Sequence, residues 1–322
     1  MSEYNKIVTH FDLDGIASAA LCALIFDIDN IEFAGPANLN QAQIDKNTIV
    51  TDLPYPYPKE PGLWFDHHMA NIEELATFGI DAKNLAGKIA GKPSCLNVVY
   101  NYFADEFEID DWKEFVAEVD TIDGFLYKTF DEWREITPGK KLDYAIKQDH
   151  RDYAFMRKLT LLLRDEDYLE VIKRVKVAER ATQFIAGVDA QLSLIERIAK
   201  PIEGAEEIIF LDITNLKKPP KIEKNLAYKF FPNAETTLMV KSQYQNGNRT
   251  NNLSFSMSLG FVDSEVSEKV DVGAIMRELE IGSGHPGAAA GRFDCKNKQE
   301  REEKKEKTLN AIIDLWKKQR NR

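Results

Sequence analysis

The chain has 322 residues, and its 43% apolar content is enough to build a hydrophobic core in each of two ordinary domains. Its net charge of −11 argues against a protein that coats long nucleic acids through a broad basic surface, because such binding depends on many phosphate contacts. No apolar run reaches the roughly 18 residues of a membrane helix, and acidic residues stand where a signal peptide would be apolar, so we expect a cytoplasmic protein without a membrane partner.

The first part of the chain alternates short apolar strands with helical segments. Strands are predicted at "NKIVTH", "IEFAG", "NTIVTD" and "GLWFDHH", and helices at Gly15–Phe26, Pro93–Phe103 and Asp111–Val119. This alternation is typical of α/β folds in which helices cover a parallel sheet. We therefore predict a doubly wound, mainly parallel sheet in an N-terminal domain over residues 1–150.

The rest of the chain divides into a helical segment and a smaller α/β domain. Residues 151–200 carry apolar residues at three- and four-residue spacing, which predicts a connector of amphipathic helices. Residues 201–322 return to strand patterns at "EEIIFLDI", "TTLMVKS" and "NNLSFSMSLGF", followed by a helix at Val272–Glu280 and a glycine-rich segment. The charged tail from Lys296 onward is typical of a solvated helix with one apolar stripe.

Three of the predicted strands run into aspartate: Asp12 and Asp14 follow the first, Asp52 follows the third, and Asp66 ends the fourth. The carboxyl ends of parallel strands share one edge of a sheet, so these side chains are expected to converge there. A bare cluster of carboxylates would repel and retain protons, a conflict that divalent cations remove. If "DLD" is extended, Asp12 and Asp14 point the same way and address two ions, which lie about 3.5–4 Å apart in two-metal hydrolases.

Histidines are concentrated near the same acids. Three of the five stand beside them: His10, His67 and His68. A mixed carboxylate and imidazole set suits manganese, with magnesium or cobalt as alternatives, and disfavours calcium. The competing interpretation is that Asp12 and Asp14 cap the helix that begins at Gly15, and that the histidines are solvated.

A further acid is expected from "EVDTIDGF", which follows the helix predicted at Asp111–Val119. Asp120 and Asp123 are both candidates, and the local sequence does not choose between them. Asp120 follows the apolar run more directly and is the first choice.

The segments described above, taken together, resemble the motifs of a known family. The segments "HFDLDG" with Ser18, then Asp52, "FDHHMAN", "VDTIDG" and "GSGHPGAAAG" are similar, in order, to the motifs of the DHH phosphoesterases that carry a DHH-associated C-terminal domain. That family includes RecJ-like exonucleases, oligoribonucleases and cyclic-dinucleotide phosphodiesterases. Through its N-terminal domain it is related to family II pyrophosphatases and exopolyphosphatases.

The resemblance implies a role for each matching residue. Two manganese ions would be bound by the following side chains: Asp12, Asp14, Asp52, His67 and Asp120. Asp52 would bridge the ions, Asp66 would orient a histidine, and His68 would face the substrate phosphate. Hydrolysis would proceed by in-line attack on phosphorus without a covalent enzyme intermediate. His10 precedes Asp12 by two residues where many relatives have four, so its role as a ligand stays open.

The resemblance also implies a substrate-binding role for the second domain. The glycine-rich loop from Gly282 to Gly291 would present backbone N–H groups to the substrate. Its polar or close-approach positions are Gly282, Ser283, Gly284 and His285. An arginine that relatives carry before this loop is missing from "FSMSLGF", which leaves Arg249, Arg277 or Arg292 as replacements. Arg277 lies in a predicted helix and is the least favoured of the three.

The leading hypothesis is a manganese-dependent phosphodiesterase that converts short single-stranded oligonucleotides to mononucleotides. The acidic charge of the chain favours short substrates over long duplex nucleic acid, since each phosphate contact needs a cation. One alternative is a phosphohydrolase acting on polyphosphate, pyrophosphate or a small phosphorylated nucleotide. Another is a binding protein that has lost catalysis. The sequence leaves the oligomeric state open, a homodimer included.

Overall fold

The structure is a computed structural model and describes residues 3–216, 222–245 and 247–321. These residues form two compact units. The N-terminal unit runs up to Leu126 and includes Ile136–Ile185, and the C-terminal unit combines Tyr127–Glu135 with the chain from Ala186 onward. The domain boundaries that the sequence predicts at residues 150 and 200 remain a prediction.

Strands and helices are interspersed over residues 6–103, a run of helices follows to residue 198, and the remaining strands come after it. The strands are β1 (Lys6–Thr9), β2 (Ile31–Phe33), β3 (Thr48–Thr51), β4 (Leu63–Asp66), β5 (Gly87–Ile89), β6 (Ala199–Ile202), β7 (Ala205–Asp212), β8 (Thr236–Gln245), β9 (Asn248–Leu259), β10 (Gly282–Gly284) and β11 (Ala288–Phe293). The helices are α1 (Leu13–Phe26), α2 (Ala70–Thr77), α3 (Cys95–Phe103), α4 (Lys113–Asp123), α5 (Phe130–Arg134), α6 (Pro138–Lys147), α7 (Tyr153–Asp165), α8 (Tyr168–Val171), α9 (Val175–Asp189), α10 (Leu192–Ile198), α11 (Ser264–Lys269), α12 (Val272–Glu278) and α13 (Lys298–Arg320).

The N-terminal unit is built on a parallel five-stranded sheet in the order β2-β1-β3-β4-β5. Neighbouring residues of its strands face opposite sides, so that Ile7 and Ile49 join one apolar core while Val8 and Val50 join another. Both faces of the sheet are therefore covered, as predicted for a doubly wound fold. In this strand order ligands bind where the connections diverge, at the carboxyl ends of β1 and β3.

The C-terminal unit contains a six-stranded mixed sheet in the order β10-β11-β9-β8-β7-β6, in which only β7 and β8 are parallel. One face of the sheet packs on α12 and α13, and Trp316 and Ile312 of α13 are fully buried there. The tail helix is therefore part of this core as well as a charged surface. The predicted fold class, an α/β protein with a parallel N-terminal sheet, a helical region and a smaller C-terminal α/β domain, is confirmed.

The sequence patterns did not predict every strand. β5 and β6 were not expected, and the glycine-rich segment, predicted as a loop, forms the paired strands β10 and β11. Pairing of β11 with the long strand β9 supplies backbone hydrogen bonds that outweigh the low strand propensity of glycine. Among the residues that the structure describes, no helix is long and apolar enough to cross a membrane.

Candidate metal centre

The start of α1 brings His10 and Asp12 together just beyond β1. Asp12 is the N-cap residue of α1, and one of its carboxylate oxygens accepts a hydrogen bond from the backbone N–H of Gly15 at 3.0 Å. The other oxygen lies 2.6 Å from Nδ1 of His10. A Cβ at Gly15 would collide with the backbone carbonyl of His10, so this turn requires glycine. The helix-capping interpretation of Asp12 is therefore correct, and it still leaves one oxygen directed at the histidine.

Asp14 lies in the first turn of α1. The prediction that Asp12 and Asp14 point the same way along an extended segment is wrong, because the helix begins at Leu13. Asp14 is buried, and its oxygens accept hydrogen bonds from the backbone N–H groups of Cys95 at 2.6 Å and Leu96 at 2.8 Å. These residues begin α3, so the partial positive charge of a helix N-terminus stabilises the buried carboxylate.

Asp52 lies among three histidines. It follows β3, is 4% exposed, and has a φ of 54°, a left-handed conformation that is rare for a residue with a side chain. Its carboxylate oxygens lie 3.5 Å from Nδ1 of His10, 3.7 Å from Nε2 of His67 and 3.8 Å from Nδ1 of His68. Backbone strain of this kind costs about 1–3 kcal/mol and persists only where the surroundings fix it, which is common at functional sites.

The "FDHH" segment at the end of β4 contains a buried acid with several donors. Oδ1 of Asp66 accepts hydrogen bonds from the backbone N–H groups of His67 at 2.9 Å and His68 at 3.2 Å, and it lies 2.8 Å from Nδ1 of His68. Asn71 donates its side-chain amide to the second oxygen. Asp66 therefore fixes the ring of His68, which agrees with the orienting role that the resemblance implies.

His67 faces the acids with a defined ring nitrogen. Its Nδ1 lies 3.2 Å from the backbone carbonyl of Lys92, which can only accept a hydrogen bond, so Nδ1 carries the proton. Nε2 is then the atom that faces the carboxylates, 3.3 Å from Asp123 and 3.7 Å from Asp14. A histidine that donates one ring N–H to a carbonyl and directs its other nitrogen towards acids has the usual arrangement of a metal ligand.

The structure brings Asp123, the alternative candidate, to the cluster, and not Asp120. The carboxylate of Asp120 accepts hydrogen bonds from Oγ of Ser94 and from the side-chain amide of Asn97, both at 2.6 Å. Ser94 is the N-cap residue of α3, and Asn97 lies in its first turn. Asp120 thus holds the start of α3, whose N–H groups contact Asp14. Its effect on the acidic cluster is therefore indirect.

Burial and mutual repulsion disfavour the ionised forms of three carboxylates. Burial raises the pKa of Asp14 to about 6, and the charge of Asp12 adds to the effect. Burial also raises the pKa of Asp52 well above its usual value, with further repulsion from neighbouring acids. Loss of hydration and repulsion from Asp14 and Asp12 raise the pKa of Asp123 in the same way, although its side chain is 28% exposed. Burial acts in the same direction on Asp12, but the charge and hydrogen bond of His10 outweigh it and leave the pKa of Asp12 lowered.

This donor set fits divalent cations. The groups of side chains whose ligand atoms lie within 4.8 Å of one another include His10 with Asp12 and Asp52, and Asp14 with His67 and Asp123; a further group, Asp52 with Asp66 and His68, shares Asp52 with the first. Each combines carboxylate oxygens with one imidazole nitrogen, a set that suits manganese, magnesium or cobalt. A cation in each of the first two groups would remove the repulsion that raises the carboxylate pKa values, so the residues present fit a two-ion centre.

The residues predicted to bind substrate lie in the C-terminal unit and are not all together. Gly282, Ser283 and Gly284 form β10, and the turn from His285 to Gly287 that joins it to β11 is closed by a hydrogen bond from the backbone N–H of His285 to the carbonyl of Ala288 at 2.8 Å. Arg292 is exposed on β11 close to this hairpin. Arg249 lies at the opposite end of β9, about 30 Å away along a strand of nine residue steps.

Several contacts were missed by the sequence analysis. They are the amide of Asn71 on Asp66, the Ser94 and Asn97 contacts to Asp120, and the N–H groups of Cys95 and Leu96 on Asp14. The Ser94-x-x-Asn97 spacing is a helix-start signal, so the N-cap itself was predictable. The partner of Ser94, 26 residues away in sequence, and the partner of Cys95, 81 residues away, were not predictable.

The sequence matches no family model and no curated protein. Solved structures do match over nearly the whole chain. A pGpG-specific phosphodiesterase from Vibrio cholerae aligns over 98% of this chain and 99% of its own, with a TM-score of 0.68 and 21% identity. An exopolyphosphatase-related protein from Bacteroides fragilis aligns over 98% and 94% of the two chains, with a TM-score of 0.54 and 14% identity.

A RecJ exonuclease bound to manganese aligns over 97% of this chain and 90% of its own, with a TM-score of 0.51 and 12% identity. The chain therefore has the two-domain fold of the DHH phosphoesterases. The predicted resemblance is confirmed at the level of the fold.

Proposed function

We propose that the chain is a metal-dependent phosphodiesterase that hydrolyses short single-stranded oligonucleotides to mononucleotides. The observation that carries the proposal is the convergence of four carboxylates and two histidines from three strand ends and one helix end: Asp12, Asp14, Asp52, Asp123, His10 and His67. We assign these six side chains as ligands of two divalent ions. Asp123 replaces Asp120 in this assignment, and Asp120 becomes a positioning residue.

The chain's own residues have distinct tasks in such a reaction. Two bound ions would activate water and neutralise charge on the phosphate. The backbone N–H groups at the start of α3 hold the carboxylate of Asp14 in place. Because these donors carry no full charge, the negative charge of Asp14 would still attract a cation. Asp66 holds Nδ1 of His68, which leaves Nε2 as the atom that would donate to a substrate phosphate oxygen. The C-terminal unit would bind the substrate through the turn at His285 and through Arg292.

Two features support short nucleic-acid substrates. The chain has a net charge of −11, so contacts to many successive phosphates would lack cations. The fold is similar to that of a phosphodiesterase named for pGpG, a linear dinucleotide. The similarity to a RecJ exonuclease bound to manganese supports manganese as the first metal to test. A cytoplasmic location belongs to the same proposal and rests on the sequence.

A second candidate function is hydrolysis of polyphosphate, which the similarity to an exopolyphosphatase-related protein favours. The same two-ion site could cleave a phosphoanhydride as well as a phosphodiester. The two functions differ in product, since one releases mononucleotides and the other orthophosphate.

The deciding experiment is a substrate panel with manganese: linear dinucleotides, tri- and longer oligonucleotides, a cyclic dinucleotide and polyphosphate. We expect the highest kcat/KM on linear di- or trinucleotides, with mononucleotide products and no activity in the chelator control. Faster orthophosphate release from polyphosphate would replace the first proposal with the second. Inertness towards the whole panel, together with no rise in Tm on adding manganese, would leave only the non-catalytic alternative.

A further inference from the structure

A polar cavity of about 300 Å³ lies in the C-terminal unit, away from the glycine-rich hairpin. Its lining residues are Asn215, Arg249, Thr250, Asn251, Lys298 and Arg301. All six are polar, three carry positive charge, and none of these lining residues is acidic. In a chain of net charge −11, such a group favours an anionic ligand over an apolar one.

One of the cations is buried and held rigidly. Arg301 is 4% exposed, and its Nε and Nη2 donate to the same oxygen of Glu302 at 3.0 and 2.7 Å. A buried guanidinium is costly unless it is paired and hydrogen-bonded, and Glu302 covers one edge of the fork. Arg301 also lines the cavity.

The neighbouring acids are already matched by other cations. Glu302 also pairs with Lys305 at 2.7 Å, and Lys305 pairs with Asp212 at 3.0 Å. The charges of Arg301 and Lys305 therefore balance those of Glu302 and Asp212. Arg249 and Lys298 are then the excess positive charge at the cavity.

Arg249 is also oriented. Its Nε donates to Oγ of Ser242, a buried hydroxyl on β8, at 3.1 Å. Lys298 is the first residue of α13, so the partial positive charge of a helix of 23 residues has the same sign as the side chains around it. Asn215 and Asn251 complete the lining with uncharged polar residues.

We propose that this cavity binds the phosphate group of a small phosphorylated compound. A tetrahedral oxyanion matches the guanidinium and ammonium donors, and a volume of about 300 Å³ is at the lower end of the range for small-molecule sites. The site consists only of residues of the C-terminal unit and lies at the far end of β9 from the turn at His285. It is independent of the proposed catalysis.

The test measures binding of inorganic phosphate, pyrophosphate and a nucleoside 5′-monophosphate to the full chain by calorimetry, in chelator. Chelator removes metal-dependent binding at the acidic cluster, and variants of the cavity then distinguish it from the turn at His285 and Arg292, which the cavity does not include. The double variant Arg249→Gln/Lys298→Gln removes the two excess charges, and both residues are exposed, so the fold is retained. The matched control is Arg197→Gln/Lys307→Gln, which removes two exposed charges elsewhere in the same unit.

We expect one ligand bound per chain and affinity at least about tenfold weaker in the double variant, with the control unchanged. A nucleotide that binds more tightly than phosphate would identify the nucleoside as part of the ligand, and equal affinities would identify phosphate alone. Absence of binding to the wild-type chain overturns the proposal. So does an equal loss of affinity in the two double variants, since that would reflect overall charge.

Discussion

The two units of the molecule use charge in opposite ways. In the N-terminal unit, Asp14 and Asp52 are buried close to other acids, and the backbone N–H groups of α3 stabilise one of them. In the C-terminal unit, Arg249 and Lys298 are exposed and line an open cavity. Buried charges of one sign cost stability unless cations join them, whereas exposed cations cost little. The first arrangement suits a metal centre and the second suits reversible binding of an anion.

The largest expected effect comes from removing a central ligand. Asp52→Ala or His67→Ala should lower kcat/KM by roughly a thousandfold or more, since an ion that stabilises the transition state loses a ligand. The metal-free variant Asp52→Ala should remain folded, because the substitution removes a repelled buried charge. The measurements are kcat/KM with manganese and Tm in chelator, with the exposed Asp105→Ala as control. Near-normal activity of Asp52→Ala or His67→Ala would show that the acidic cluster is not the catalytic site.

The next largest effect on kcat/KM distinguishes the roles of two acids that lie three residues apart on α4. Asp123→Asn should cost roughly a hundredfold or more in kcat/KM, because this carboxylate faces Nε2 of His67. Asp120→Asn should cost about tenfold, because it acts through Ser94 and Asn97 on the start of α3. Manganese affinity measured on both variants should follow the same order. The reverse order would restore Asp120 as the ligand.

The metal-free chain should become less stable as the pH rises from about 4 to 7. In the folded chain the pKa of Asp14 is about 6, against an ordinary value of 3.8, so the folded state retains a proton that the unfolded state has released. For Asp14 alone this lowers the free energy of unfolding by on the order of 3 kcal/mol across that range. The raised pKa values of Asp52 and Asp123 act with the same sign.

Manganese should reverse this trend, because binding requires the deprotonated carboxylates. The rise in Tm on adding manganese should therefore increase between pH 5 and pH 8, as measured by calorimetry at matched ionic strength. A stabilisation by manganese that is independent of pH would show that the metal binds somewhere other than the buried acids.

The features that could be predicted from the sequence are those that depend on local residue patterns. Short apolar runs that stop at Asp52 and Asp66 identify strand ends, and the strand-helix alternation places those ends at one edge. The choice between Asp120 and Asp123 was not predictable, since residues three apart on a helix differ by only about 60° in direction and the rotation of α4 depends on packing. The contacts of Asp14 with α3 and the pairing of β10 with β11 are likewise set by tertiary structure.

The smallest expected effect lies in the C-terminal unit. His285→Ala should raise KM severalfold with a smaller change in kcat, because an exposed side chain in the turn between β10 and β11 would contribute to substrate binding more than to the chemical step. His150→Ala, an exposed histidine of the N-terminal unit, is the matched control and should change neither constant. Because no group of the metal centre is altered, manganese affinity should stay constant in both variants. A fall in kcat at unchanged KM would instead give His285 a part in the transition state, and the separation between a unit that reacts and a unit that binds would no longer hold.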